Sequence, residues 1–259
     1  MSAVIEKKET IGVHSYAGRH NADYGGSRKR VSEGGTWKRQ RVIEIMPSRA
    51  KIWAKVSHSH RSLAFPPNQP VYRYLALGQE VGEAYSNAIA EILAQAPNAE
   101  GTSLSQWEYI LTIEDDNMPP SNGVIQLIED MEQHPEFAGI GGLYWCKGPG
   151  GCAHIWGDPS DPTINYRPQV PREPQGLQEC CGTSMGFNLW RLSMFKDDRL
   201  RRPWFKTVGA KPEDRGLGTQ DLYFASDARK YGYRFAVDTR VLVGHYDGDG
   251  SFGPPDTVW

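Results

Sequence analysis

Three carboxylates stand in a row at Glu114, Asp115 and Asp116. Adjacent carboxylates repel one another unless a cation sits among them. Hard divalent ions prefer carboxylate oxygen, so the triplet predicts a Mg2+ or Mn2+ site. The residues ahead of it, Tyr109-Ile110-Leu111-Thr112-Ile113, are aromatic, aliphatic or β-branched throughout. That run predicts a strand buried on both faces. Asn117 and Pro119-Pro120 follow, and proline cannot continue a ladder. A buried strand that carries charge to its carboxyl end places it where open α/β sheets bind ligands. A solvated acidic turn is the competing reading. The strongly apolar strand favours the metal site.

A second polar group follows a second apolar run. Arg41-Val42-Ile43-Glu44-Ile45-Met46 predicts a buried strand stopped by Pro47, and Pro47-Ser48-Arg49 forms the loop after it. An arginine in a short loop at a strand's carboxyl end suits a nucleotide base or phosphate. The four cysteines are Cys146, Cys152, Cys180 and Cys181. They lack the tight pairs of zinc modules, so plain thiols are expected rather than a zinc site shared with His154.

Strands and helices alternate around these groups. Val71–Leu77 predicts a strand and Ile52–Leu63 a short helix. Val81, Tyr85, Ala88, Ile89 and Ile92 recur at helical spacing, which predicts an amphipathic helix over 80–94. Ser121 is a candidate N-cap for a helix with the stripe Val124, Leu127, Ile128 and Met131. Phe137–Trp145 predicts a strand whose glycines admit close approach of a ligand or backbone. Residues 147–178 read as a long Pro- and Gly-rich loop, and 180–190 as an extended segment broken by Gly182 and Gly186. Gly216–Asp221 caps a helix with Leu222, Phe224, Ala225, Ala228 and Tyr231 on its apolar face, ended by Gly232. Tyr233–Val237 and Val241–Val243 are strand-like. The alternation predicts an α/β class with a mainly parallel central sheet flanked by helices.

At 259 residues the chain suits one large domain with an extension. Residues 1–41 hold nine Lys or Arg against four Asp or Glu, so residues 1–40 are expected to be a basic arm ahead of a single domain over 41–259. The formal net charge is only -2, which excludes polyanion binding through bulk field alone. No apolar run is long enough to span a bilayer, and the first ten residues do not resemble a secretory leader. A cytoplasmic protein with no membrane partner is expected.

From about Arg41 to His245 the order of motifs resembles a GT-A fold nucleotide-sugar glycosyltransferase, similar to family 2. Pro47-Ser48-Arg49 resembles that family's nucleotide loop, and Gly82–Ala88 its helix segment with an Arg-Asn pair, here Ser86-Asn87. Glu114-Asp115-Asp116 stands where the family carries its DXD motif, with Glu in first place. Gly182-Thr183-Ser184-Met185-Gly186-Phe187 resembles the segment lining the sugar and acceptor pocket. Thr219-Gln220-Asp221-Leu222 resembles the family's Glu-Asp helix, with Gln220 for Glu. Val243-Gly244-His245 resembles its late metal-binding histidine.

The resemblance implies a Rossmann-like GT-A fold, a UDP- or GDP-sugar donor and a Mn2+ or Mg2+ ion. It implies Asp116 and His245 as metal ligands, and Glu114 or Asp115 against ribose or a metal-bound water. Pro47, Ser48, Arg49, Asn87, Gly182 and Met185 would be donor contacts, and Asp221 the general base of an inverting enzyme. The acceptor would be a hydroxyl on a soluble glycan, protein, small molecule or hydroxymethylated DNA base. The clusters in residues 28–41 and Arg201-Arg202-Pro203-Trp204 keep DNA among these partners. A nucleotidyltransferase, or a non-catalytic carbohydrate- or nucleic-acid-binding module, is the alternative.

Overall fold

The computed structural model describes residues 40–67, 69–146, 151–161, 165–208, 218–246 and, by backbone alone, 251–252. All but Gln40 of the expected basic arm lies outside these residues, as do parts of the loop 147–178 and of the segment leading into Asp221.

A seven-stranded sheet carries the fold. Its strands are β1 (Val42–Ser48), β2 (Val71–Leu77), β3 (Tyr109–Ile113), β5 (Phe137–Leu143), β7 (Leu177–Cys180), β9 (Phe187–Arg191) and β10 (Arg234–Leu242). Their spatial order is β2-β1-β3-β9-β5-β10-β7. β2, β1, β3, β5 and β10 run one way, and β9 and β7 run against them. The expected mainly parallel α/β architecture is what the chain adopts.

Side-chain alternation along the strands divides the core. Ile43 and Ile45 of β1 and Ile110 of β3 face α2 (Val81–Ala94) through Tyr85, Ala88, Ile89 and Ile92. Val42, Leu111 and Ile113 point to the other face and meet α3 (Gly123–Gln133) through Val124, Leu127, Ile128 and Met131. Period two in the strands and 3.6 in the helices thus give two apolar layers on one sheet. Each Val, Leu, Ile or Met among them contributes about 1.5–3 kcal/mol on full burial. On the α2 side the layer continues into Trp190, Phe195, Phe205, Phe224 and Phe235. A Cβ on Gly139 would lie 2.5 Å from the Trp190 ring, so that glycine admits an indole rather than a ligand.

Two small sheets complete the site's frame. β4 (Asn117–Met118), β11 (Gly244–Tyr246) and β12 (Ser251–Phe252) form one, and β6 (Ile155–Trp156) with β8 (Gly182–Thr183) the other. α1 (Ala54–Arg61) packs over β4, where Ser59 Oγ donates to Pro119 O at 2.7 Å and His60 Nε2 bonds Asn117 O at 2.8 Å. α4 (Gln220–Ala228) packs on β8.

Several boundaries differ from expectation for local reasons. β1 runs through Pro47 to Ser48, because its pairing with β3 ends at Ile45 and only the β2 edge needs donors beyond it. Asn117 does not end pairing; it starts β4 in a different sheet. The N-cap of α3 is Asn122, not Ser121. β5 stops at Leu143, short of Trp145. The loop 147–178 contains β6, whose partner β8 lies beyond the loop's end. Residues 234–242 form one bulged strand rather than two. Tyr231 is exposed rather than on the apolar face of α4.

Candidate active site

β3 ends at Ile113, and its fully buried run delivers Glu114, Asp115 and Asp116 to the carboxyl edge of the sheet. The chain then turns at once into β4. β11 follows β10 and pairs antiparallel with β4, with His245 opposite Asn117 and Gly244 opposite Met118. Tyr246 N–H donates to Asp116 O at 2.7 Å. This register sets His245 beside Asp116, with Nε2 3.6 Å from Asp116 Oδ2. His245 Nδ1 lies 2.8 Å from Trp145 O, and a carbonyl only accepts, so Nδ1 carries the proton. In the neutral ring this leaves the Nε2 lone pair facing the carboxylate.

These two groups suit a divalent ion. Two adjacent ligands at bonds of ~2.1 Å lie roughly 3–3.5 Å apart, close to the observed gap. An imidazole whose other nitrogen is fixed by a carbonyl has the usual arrangement of a metal-binding histidine. Among the described residues no cluster of three or more His, Cys, Asp or Glu is preformed for an ion. Any further ligands would come from water or substrate oxygen, as Mg2+-like ions commonly require.

Two cavities meet at the acidic turn. The larger, about 950 Å³, is lined by Arg49–Trp53, Asp115, Asp116 and Tyr246. The smaller, about 420 Å³, is lined by Pro47, Ser48, Arg49, Gln79–Val81 and Glu114–Asp116. Arg49 N–H donates to Asp115 Oδ2 at 3.4 Å, tying the loop after β1 to the turn after β3. Ala50 has φ of 66°, a left-handed strain of the kind often held at functional turns. The structure thus brings Pro47, Ser48, Arg49, Glu114, Asp115, Asp116 and His245 to one place.

Three expected donor contacts lie elsewhere. Asn87 is exposed on α2 and donates from Nδ2 to Gln79 Oε1 at 2.9 Å, so it touches the smaller cavity's wall rather than its space. Its neighbour Ser86 is buried, and its hydroxyl pairs with both N and O of Phe205 at 3.0 Å. Gly182 packs against α4, where a Cβ would lie 3.0 Å from Ala225 Cβ. Met185 is in the core, 1% exposed. Neither residue lines the two cavities.

Asp221 opens α4 and is 7% exposed. Burial pushes its carboxyl above the ordinary carboxylate value, against hydrogen bonds from Thr219, the Leu222 amide and Ser184. Ser184 is a hub that spacing alone does not disclose. Its Oγ accepts from Trp156 Nε1 at 2.8 Å and meets His154 Nδ1 at 2.5 Å. His154 stacks on Tyr144 with centroids 4.2 Å apart, and Tyr144 meets His245 edge-on at 5.5 Å. Burial drives His154 down to about 3, so it is neutral at physiological pH. Tyr144, His154, Trp156 and Ser184 thus join the surroundings of Asp221 to those of His245. The only local signals were Ser184 within the glycine segment and His154 beside Cys152.

Cys146 and Cys152 face each other as free thiols with sulfurs 3.4 Å apart, while Cys180 and Cys181 are buried. Arg201 and Arg202 are also committed: Arg201 covers the Tyr223 ring and pairs with Asp227, and Arg202 covers Trp204 and donates to Leu200 O and Phe195 O. Of the two, only Arg201 has an acidic partner among the described residues. No helix among the described residues is long and apolar enough to cross a membrane.

No protein-family model and no curated protein sequence matches the chain. Solved structures do. A197 from STIV superposes with a TM-score of 0.56 at 13% identity, over 85% of this chain and 96% of that one. GalNAc-T7, solved with UDP, GalNAc and Mn2+, gives 0.52 at 11% identity, over 80% of this chain and 44% of its own. At such identities the likeness speaks for the fold alone, and with the sheet described above it makes this chain a GT-A-like α/β protein of Rossmann type.

Proposed function

We propose that the chain is a metal-dependent glycosyltransferase, moving a sugar from a nucleoside diphosphate sugar to an acceptor hydroxyl. The observation that carries this reading is the approach of Asp116 Oδ2 to His245 Nε2, 3.6 Å apart at the mouth of two cavities. The fold it shares with GalNAc-T7, whose structure holds UDP, GalNAc and Mn2+, supports the same reading.

Asp116 and His245 would hold the divalent ion, and Trp145 O keeps the imidazole in the ligating tautomer. When bound, such an ion supplies neutralisation of the negative charge that grows on a departing diphosphate. The smaller cavity, between Pro47–Arg49 and Gln79–Val81, would take the nucleoside, with Glu114 or Asp115 against the ribose. Asp221 would accept the proton of the acceptor hydroxyl. A desolvated carboxylate with a raised pKa is a stronger base than a surface one. The Ser184 hydroxyl, which opposes the rise of the Asp221 carboxyl, would orient the carboxylate.

Calorimetric titration of UDP- and GDP-sugars, with and without Mn2+, tests the proposal. Binding of one of them that needs the metal, followed by release of nucleoside diphosphate, is the expected result. Pyrophosphate release would point instead to nucleotidyl transfer, and absence of metal-dependent binding to a non-catalytic module.

A further inference from the structure

The segment Arg49–Arg61 leaves the carboxyl end of β1, edges the larger cavity and ends with α1. Its thirteen residues include Arg49, Lys51, Lys55, Arg61, His58 and His60, and no Asp or Glu. Such imbalance is unusual in a chain whose total charge is -2. Lys55 lies over the Tyr246 ring and His60 bonds Asn117 O, so these two are engaged within the fold. Arg49, Lys51, His58 and Arg61 are exposed, and none of the four pairs with a described acid. The inward side of α1, Val56, Ser59 and His60, is what holds the helix to β4. Arg49, Lys51 and Arg61 thus set exposed cations along one segment anchored by α1.

Aromatic surface lies at its head. Trp53 is 51% exposed and meets Tyr246 edge-on with centroids 5.7 Å apart. Both line the cavity that also reaches Asp116. An exposed indole beside a groove of cations is the combination that binds unpaired nucleic acid, by stacking on bases and neutralising phosphates. A helix end favours cations near its last carbonyls, which accounts for Arg61 in part. It does not account for Arg49, Lys51 or the exposed Trp53.

We propose that Arg49–Arg61 is a docking track for a single-stranded nucleic acid, with Trp53 stacking on a base at the rim of the larger cavity. This deepens the sugar-transfer reading, on which it rests for the role of a hydroxyl carried by that nucleotide as the acceptor. The track brings the base to Asp116, while the smaller cavity remains for the donor nucleoside.

The test uses the full chain and a fluorescently labelled single-stranded oligonucleotide, with anisotropy read from about 50 to 200 mM salt, a range over which phosphate contacts lose affinity steeply. Affinity should fall linearly with log salt, with a slope near 0.7 for each phosphate neutralised. The double variant Lys51→Glu, Arg61→Glu should bind at least ~10-fold more weakly and with a shallower slope. Trp53→Ala should weaken binding roughly 5-fold or more and leave the slope unchanged. Both variants should keep their melting temperature and metal-dependent nucleotide-sugar binding. Absence of oligonucleotide binding at low salt overturns the proposal, as does binding that neither variant alters. Loss of nucleotide-sugar binding in Trp53→Ala also overturns it, since the larger cavity would then belong to the donor. If no nucleotide sugar binds the parent chain but the variants still lose the oligonucleotide, the track stands and the sugar-transfer reading falls.

Discussion

Trp145 O holds His245 Nδ1 at 2.8 Å and thereby turns Nε2 toward Asp116. The bond comes from the second residue past β5, so the strand that ends near the site also fixes the site's imidazole. Substituting His245 by Ala or Asp116 by Asn should each weaken Mn2+ binding by roughly 10–100-fold or more, since even outer-shell partners carry that much. Calorimetry with Mn2+ alone reads this without reference to turnover. Unchanged affinity in both variants would remove the pair from the metal site.

Asp221→Asn should lower turnover by ~100- to 10,000-fold, the range of a general base, with donor binding preserved. Ser184→Ala gives the more diagnostic result. Burial raises the Asp221 carboxyl, and the Ser184 hydroxyl opposes that rise. Without the hydroxyl the carboxyl rises further, so the acid limb of kcat/KM should move to higher pH. A merely structural Ser184 would lower activity and leave that limb in place.

How far the chain disclosed this site in advance depends on where each signal is stored. β3, α2 and α3 were legible because each carries its periodicity in its own residues, and burial follows it closely. The acidic turn was legible because its three members are adjacent. The direction of β9 was not: a strand buried on both faces looks the same whether it runs parallel or antiparallel. Pro47 misled because its meaning depends on which neighbour needs its missing donor. Tyr144, His154, Trp156 and Ser184 come from separate loops and strands, joined by the pairing of β6 with β8 and by the His154 N–H bond to Tyr144 O. Met185 and Gly182 sit in the same segment as Ser184, yet alternation and packing turn them into the core.

Gly186 stands where that network crosses the acidic turn. Its N–H donates to Tyr144 Oη at 2.9 Å, and its carbonyl accepts from Glu114 N–H at 3.2 Å. A Cβ there would lie 2.5 Å from Asn117 Oδ1 and 2.7 Å from Tyr144 Oη. Neither neighbour has free space, because Asn117 and Tyr144 are both buried. Gly186→Ala should therefore destabilise the fold by about 1–3 kcal/mol, the usual cost of overpacking. Mn2+ affinity should drop with it, because Tyr144 and β4 both frame the Asp116–His245 pair. Thermal melting and metal titration on the same sample check both effects.

Asp130 on α3 provides a pH test remote from the site. It is 3% exposed, and its Oδ1 accepts from Arg240 Nη2 at 2.8 Å. Burial, reinforced by Asp238 beside it, pushes its carboxyl up to about 8. Arg240 opposes this, but it is shared with Asp238 and its side chain is 43% exposed. The unfolded value is near ~3.9, so the folded chain holds an extra proton between the two values. Stability is then full below ~4 and falls as pH rises through that window, by at most about 1.4 kcal/mol per pH unit. Asp130→Asn keeps an acceptor for Arg240 and removes the titration. Between pH 6 and 8.5 the parent's melting temperature should fall more steeply than the variant's. Parallel curves would mean that Arg240 keeps Asp130 ionised throughout.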